Sequence, residues 1–200
     1  MYSVHPAVAY VASMIENLRE RTGRDLEQWK SLAAGGPADR KTLVAWLKEN
    51  HGQGGTTANL IASAALGQDP ESFDGDRYLD MAVEYVRTMF SGKKEILQPL
   101  YDAVIERVLA LGDGVRLCPA KTFVPVYRTH VIAQVKPSTL TRIDLGLALK
   151  GFAEPLPARL VDTGGMAKGD RITHRMGISR PEDIDSEVDR WLQVAFNLDG

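Results

Sequence analysis

The stretch VIAQVKPSTLTRIDLGLALKG (131–151) decides the fold of this protein. Apolar side chains occupy every second position on both sides of its KPST turn (136–139), namely Val131, Ala133, Val135, Ile143, Leu145, Leu147 and Leu149. A period of two is typical of strands with one buried face, because successive side chains point to opposite sides. The stretch therefore predicts two antiparallel strands that share one apolar face.

Helical periodicity dominates on the N-terminal side of this stretch. Short amphipathic segments separated by glycine turns predict a small helical bundle, and two longer helical patterns follow it. A further strand over 171–178 and a closing helix from Pro181 complete the pattern. The order predicts an α+β fold: a helical domain at 1–67, a linker at 68–77 and, at 78–200, an α+β domain with an antiparallel sheet flanked by helices.

The composition excludes several classes of protein. The formal net charge is −2 and 44% of the residues are hydrophobic, as in an ordinary globular protein. No apolar run approaches the roughly 18–20 residues that span a bilayer, so no membrane partner is expected. Cys118 is the only cysteine, which excludes an intramolecular disulfide and makes a cysteine zinc site unfavourable. Together these features favour a cytoplasmic protein.

Charge is unevenly distributed along the chain. Residues 113–180 carry eleven basic and five acidic side chains, net +6, whereas residues 181–200 carry one and six, net −5. The simpler interpretation is a basic sheet beside an acidic helix. The sharper one is an anion-binding face on the basic segment.

Several motifs resemble two bacterial families of unknown function. TGRDLEQW (22–29) and LVAWLKENHGQG (43–54) resemble domain-of-unknown-function family 4287, a short helical domain. A second set resembles domain-of-unknown-function family 5655: PLYDAV (99–104), KTFVPVYR (121–128), VKPSTLTRIDLGLALKG (135–151), THRMGI (173–178) and VDRWLQVAF (188–196). The resemblance implies a helical domain followed by an α+β domain. Neither family has an established activity, so the resemblance implies no function.

A glycine turn is the first candidate site. HGQGGTTANLIA (51–62) lacks the Lys of a nucleotide P-loop, and no strand precedes it. Its spacing resembles the hairpin of helix-hairpin-helix domains, in which backbone N–H groups hold one DNA phosphate. The resemblance implies phosphate-backbone contacts at Gly52, Gly54, Gly55, Thr56 and Thr57. The alternative is a structural corner in which Thr56 or Thr57 caps the following helix.

The outward face of the sheet is the second candidate. Basic residues there could hold a carboxylate or phosphate, with Gly146 and Ala148 leaving room for it to approach. The anion-binding candidates are Lys121, Lys136, Arg142, Asp144 and Arg175, joined on that face by Gln134 and Thr173. The alternative is a solvated face on which Arg142 and Asp144 pair with their neighbours.

Signals for catalysis and for metal binding are weaker. His174 fits either a general base or a partly buried structural histidine, and the second interpretation is favoured. The acids from Asp183 to Asp189 fit a helix N-terminus better than a metal site. Neither a metal nor a cofactor is expected, and a non-catalytic role is favoured over an enzyme.

Three functions remain open at this stage. The favoured one is a binding module for an anionic partner such as nucleic acid. The second is a small-molecule binding protein or enzyme that uses the basic sheet face for a carboxylate or phosphate. The third is a structural or interaction protein, whose two domains could dock to each other or pair as a homodimer.

Overall fold

A computed structural model describes residues 1–200 and has the predicted α+β architecture. Packing divides the chain into two compact units. The helical unit comprises Val4–Met81, and the sheet unit comprises Met1–Ser3 together with Ala82–Gly200. No helix in the structure combines the length and apolar character needed to cross a membrane.

The helical unit consists of short helices joined by tight turns. They are α1 (Pro6–Glu16), α2 (Leu18–Thr22), α3 (Leu26–Ala33), α4 (Arg40–His51), α5 (Gly55–Ala65), a 3₁₀ helix (Pro70–Ser72) and the start of α6 (Gly75–Met89). Residues 68–77, predicted as a linker, thus contain the 3₁₀ helix and the first residues of α6. Trp29, Leu43, Leu47 and Ile61 are almost fully buried and form the centre of this unit's core.

Local sequence signals explain where two of these helices begin. Asp25 directly precedes the helical pattern of Leu26, Trp29 and Leu32, and the sequence therefore predicts it as a helix cap. Its carboxylate accepts a hydrogen bond from the Gln28 amide at 2.9 Å, and the Gln28 side chain accepts one from the Asp25 amide, so the cap is confirmed as a capping box. Asp39 caps α4 in a similar way through the Thr42 amide. Each cap satisfies a backbone donor that the helix itself leaves unpaired.

The sheet unit is built around six antiparallel strands. They are β1 (Arg116–Leu117), β2 (Val124–Tyr127), β3 (Val131–Lys136), β4 (Ile143–Leu147), β5 (Val161–Asp162) and β6 (His174–Ile178), in the spatial order β1-β2-β3-β4-β6-β5. The helical elements are the end of α6, a 3₁₀ helix (Gly92–Leu97), α7 (Gln98–Leu109), α8 (Gly165–Lys168), a 3₁₀ helix (Pro181–Asp183) and α9 (Ser186–Asn197).

One face of the sheet forms the core of this unit. Val135 lies opposite Leu145, which lies opposite Met176, and none of the three is exposed. Apolar residues of α7 and α9 belong to the same buried cluster. The predicted alternation is confirmed from Ala133 to Leu147, and it leaves Gln134, Lys136, Asp144 and Arg175 on the opposite face. It is wrong at the start of β3, where Ile132 is fully buried and Val131 only half-buried, because the register between β2 and β3 shifts there.

Ion pairs account for much of the uneven charge along the chain. Arg159 binds Asp185 and Glu187 on α9 at 2.7 and 3.0 Å, and Arg171 binds Asp199 at 2.8 Å. The basic segment thus pairs with the acidic C-terminal segment, as the simpler interpretation predicted. All seven arginines between residues 113 and 180 make a hydrogen bond to the protein: Arg116, Arg128, Arg142, Arg159, Arg171, Arg175 and Arg180.

Asp199 is the most enclosed of these acids, with 2% of its side chain exposed. Its carboxylate accepts hydrogen bonds from the amides of Thr129 and His130 at 2.8 and 2.9 Å and from Arg171. Burial by itself would raise the pKa of Asp199, but the hydrogen bonds from the amide and the ring of His130 and from the Thr129 amide outweigh it, so the pKa is lowered. The ionised form of Asp199 therefore stabilises the folded sheet unit.

We expect Asp199→Asn to lower the free energy of unfolding at neutral pH by about 1–3 kcal/mol, because the amide cannot replace a charged acceptor of several donors. The wild-type contribution is present above the unfolded pKa of about 3.9 and is lost as the pH falls through the lower folded pKa. Urea unfolding at several pH values measures this. A difference between wild type and variant that stays constant down to the acid transition would contradict it.

Candidate functional site

The outer face of the sheet carries the residues predicted to bind an anion. Lys136 lies opposite Asp144 between β3 and β4, and Gly146 lies opposite Arg175 between β4 and β6. Arg142 directly precedes β4 and reaches the same face through Asp144. The structure therefore brings these candidates to one face, and Lys121 joins them at a cavity described below.

Asp144 neutralises part of this face. Its Oδ1 accepts a hydrogen bond from Arg142 Nε at 2.8 Å and from Arg175 Nη1 at 3.2 Å, and its side chain is 14% exposed. Both arginines thus share one carboxylate, which leaves fewer N–H groups for a ligand. This part of the face therefore matches the alternative interpretation, in which Arg142 and Asp144 pair with their neighbours on a solvated face.

The room predicted beside Gly146 does not exist. A β-carbon at Gly146 would lie 2.7 Å from Ile172 Cγ2 and 2.8 Å from Gln134 Cγ, so side chains of the protein fill the space. Gly177 is covered in the same way by Arg142, whose Cδ lies 3.0 Å from the β-carbon position. These glycines accommodate neighbouring side chains of the sheet unit, a role that strand periodicity alone does not reveal.

Thr173 is also not available at the outer face. It is fully buried, and its Oγ1 accepts a hydrogen bond from the Leu149 amide at 3.2 Å and lies 3.0 Å from His174 Nδ1. His174 is half-buried beside this hydroxyl. The contact matches the structural interpretation of His174, and Thr173 serves the fold.

Two of the candidate lysines meet at a cavity at the edge of this face. The cavity has a volume of about 520 Å³, and Lys94, Lys121 and Lys136 line it. Hydroxyl groups contribute the other polar side chains, from Thr88, Ser91, Thr122 and Ser138. No aspartate or glutamate lines it. We refer to this site as the lysine cavity.

Local structure positions the cations of the lysine cavity. Lys94 lies in the 3₁₀ helix Gly92–Leu97, and its Nζ donates a hydrogen bond to the Pro137 carbonyl oxygen at 2.8 Å. That bond crosses 43 residues of sequence and holds Lys94 beside the turn that follows β3. Lys136 ends β3 and is exposed, whereas Lys121 already has an interaction partner within the protein.

The glycine turn connects α4 to α5 as a three-residue hairpin. Gly52 adopts a left-handed conformation (φ 63°), and its amide donates to the Leu47 carbonyl oxygen. Gly54 is the N-cap of α5, and no side chain caps this helix. The prediction that Thr56 or Thr57 caps α5 is therefore wrong, because both threonines lie inside its first turn. A β-carbon at Gly52, Gly54 or Gly55 would meet nothing within 4 Å.

The single cysteine and the C-terminal acids have structural environments. Burial raises the pKa of the Cys118 thiol to about 11, which keeps it protonated and weakly nucleophilic at neutral pH. Asp185 caps α9 through the Glu187 and Val188 amides. No group of three or more His, Cys, Asp or Glu side chains is arranged to hold a metal ion.

Comparison with protein families follows the division into units. The model described as "Domain of unknown function (DUF5655)" matches residues 86–199, more than half of the chain. The chain belongs to this family. A second model, "Domain of unknown function (DUF4287)", matches residues 11–67, so both resemblances carried by the sequence motifs are confirmed. No curated protein and no solved structure matches the chain.

The DUF5655 region therefore contains both the arginine–aspartate cluster and the lysine cavity, whereas the DUF4287 region contains the glycine turn. Sequence reasoning identified Lys121 and Lys136 but missed Lys94. Lys94 lies next to another lysine in a short helical segment, a pattern that is ordinary on a solvated surface. Only its contact with the Pro137 carbonyl group distinguishes it.

We expect Gly146→Ala to lower the free energy of unfolding of the sheet unit by about 1–3 kcal/mol, because the added methyl group would overlap Ile172 and Gln134. Gly177→Ala is the matched control in the next strand. Its nearest contact is the flexible Arg142 side chain, so a smaller loss is expected. Urea denaturation of both variants measures the difference. No loss in Gly146→Ala would show that the space is open, and equal losses in the two variants would contradict the tighter packing at Gly146.

Proposed function

We propose that this protein is a non-catalytic binding module and that the lysine cavity binds a phosphate-bearing anion. The observation that carries the proposal is the placement of Lys94 and Lys136 at one cavity with hydroxyl groups and no carboxylate. Nothing in the lining neutralises these ammonium groups with a negative charge. A phosphate group would supply that charge.

The donors in the lysine cavity suit phosphate chemistry. A lysine ammonium is a point charge with three N–H groups, and Lys94 uses one on Pro137. Serine and threonine hydroxyls can donate to the remaining phosphate oxygens. The arginine forks that favour flat carboxylates are instead bound to Asp144.

The size of the lysine cavity favours a small molecule or a single phosphate of a larger one. About 520 Å³ falls within the range of small-molecule sites, roughly 300–1,000 Å³. Binding to a nucleic-acid backbone would use the same phosphate chemistry at one point of a longer contact. The experiment therefore includes both kinds of probe.

Titration calorimetry with pyrophosphate and fluorescence anisotropy with labelled single-stranded DNA, both at low salt, test the proposal. We expect Lys94→Gln/Lys136→Gln to weaken binding at least about tenfold, because two charge-assisted contacts are lost. Lys168→Gln removes an exposed lysine of the same unit outside the cavity and leaves binding unchanged. If the wild type binds neither probe, or the control loses as much affinity, the lysine cavity is not the site.

A second candidate is contact of a nucleic-acid backbone with the glycine turn, favoured by the α5 N-terminus that no side chain caps. The amides of Gly55, Thr56 and Thr57 would then face one phosphate. Gly52 and Gly54 would allow the close approach, since nothing covers their α-carbons.

Gly55→Asp tests the turn. The new carboxylate would repel a phosphate, so we expect DNA affinity to be lost. It would also interact favourably with the dipole at the N-terminus of α5, so we expect the free energy of unfolding to be unchanged. Gly55→Ser is the neutral control and keeps most of the affinity. The same anisotropy assay measures both variants, and equal DNA affinity in the two would eliminate the turn as a contact.

A further inference from the structure

We propose that the helical unit contains a second ligand site, specific for a small zwitterion with an apolar body such as an apolar α-amino acid. The site is a cleft of about 260 Å³ within the Val4–Met81 unit. This inference is independent of the phosphate-binding role, since it concerns different residues in a different unit. We refer to it as the amino-acid cleft.

The floor of the amino-acid cleft is apolar. Met14, Leu60 and Phe73 line it and belong to, or pack against, the core of the helical unit. Tyr10 lines the same cleft and 60% of its surface is exposed. A ligand with an apolar side chain would bury this surface.

Ser63 points to a polar ligand above that floor. It lines the cleft, is 8% exposed and is one of two polar residues in the chain that count as buried. The buried side-chain atoms that lack a hydrogen-bond partner are His51 Nε2 and Trp191 Nε1, so the Ser63 hydroxyl is not one of them. As a lining residue, Ser63 can offer this hydroxyl to a donor or acceptor of a ligand in the cleft.

Arg40 supplies a positive charge that the fold does not otherwise use. It is the first residue of α4, where a cation opposes the helix dipole. Its side chain has neither a hydrogen bond nor an ion pair with the protein. Because Arg40 lines the cleft, a ligand carboxylate there can bind its guanidinium through two parallel hydrogen bonds.

Asp69 supplies the opposite charge on the same cleft. Its backbone is left-handed (φ 44°), the only such non-glycine residue in the chain, and its carbonyl oxygen accepts from the Ser72 amide at 2.8 Å. Strained backbone of this kind occurs often in ligand sites. Asp69 already has a partner, but a carboxylate accepts several donors and can also receive a ligand ammonium.

Together these groups match an apolar amino acid better than a simple acid or amine. Arg40 complements a carboxylate, Asp69 complements an ammonium and the apolar floor accommodates a side chain. A volume of about 260 Å³ lies slightly below the usual range for small-molecule sites, which begins at roughly 300 Å³. It therefore accommodates one small molecule and no folded partner.

Titration calorimetry of the full chain tests the site with L-phenylalanine, L-leucine, 3-phenylpropionate and phenethylamine at millimolar concentration. We expect the two amino acids to bind and the two singly charged analogues to bind at least about tenfold more weakly, since each lacks one charge contact. If no probe binds, the inference is wrong. If either analogue binds as tightly as L-phenylalanine, recognition of a zwitterion is wrong.

Two variants assign the binding to the amino-acid cleft. Arg40→Gln lowers L-phenylalanine affinity about tenfold, whereas Lys41→Gln, the exposed neighbour outside the cleft, does not. Ser63→Ala lowers affinity and leaves the urea unfolding curve unchanged, because the hydroxyl would contact the ligand rather than the fold. Binding that survives both Arg40→Gln and Ser63→Ala would place the amino acid elsewhere and overturn the proposal.

Discussion

The register of the three central strands is the constraint on which the sheet unit depends. Val135, Leu145 and Met176 lie side by side on β3, β4 and β6, and all are fully buried. Because side chains alternate between faces, a slip of one residue in β4 would bury Asp144 and expose Leu145. Apolar burial and the cost of burying a charge therefore favour the same register. That register also decides which polar residues share the outer face.

Arginines and lysines of the basic segment have different roles once the register is set. The arginines bind carboxylates and carbonyl oxygens, often of distant segments, as Arg159 does on α9 and Arg128 does at the Phe196 carbonyl group. A guanidinium presents several N–H groups in a fixed plane, which suits such multiple contacts. Lys136 is exposed and lines the lysine cavity. The positive charge of the basic segment is thus divided between arginines that form ion pairs and hydrogen bonds within the protein and a small set of lysine ammonium groups at the surface.

The glycines show how one residue type serves opposite purposes. Gly146 lies beneath Ile172 and Gln134, so its lack of a side chain is needed for packing. Gly54 and Gly55 have nothing above their α-carbons, so their lack of a side chain leaves the backbone open. In the sequence the two places look alike, because in both a small residue lies within or beside a predicted strand or helix. The difference arises from segments that are far away in the chain.

The sequence by itself determined the α+β class, the two alternating strands and their buried residues, and the cap at Asp25. These features depend on local geometry: the period of apolar residues reports which side faces the core, and a cap needs only neighbours within one helical turn. Tertiary structure alone decided that Lys94 joins Lys136, that Asp144 lies between two arginines, and that Ser63 and Arg40 share a cleft. Each of these groupings joins side chains from separate elements. Their proximity is set by packing and register, and no short-range periodicity in the sequence records it.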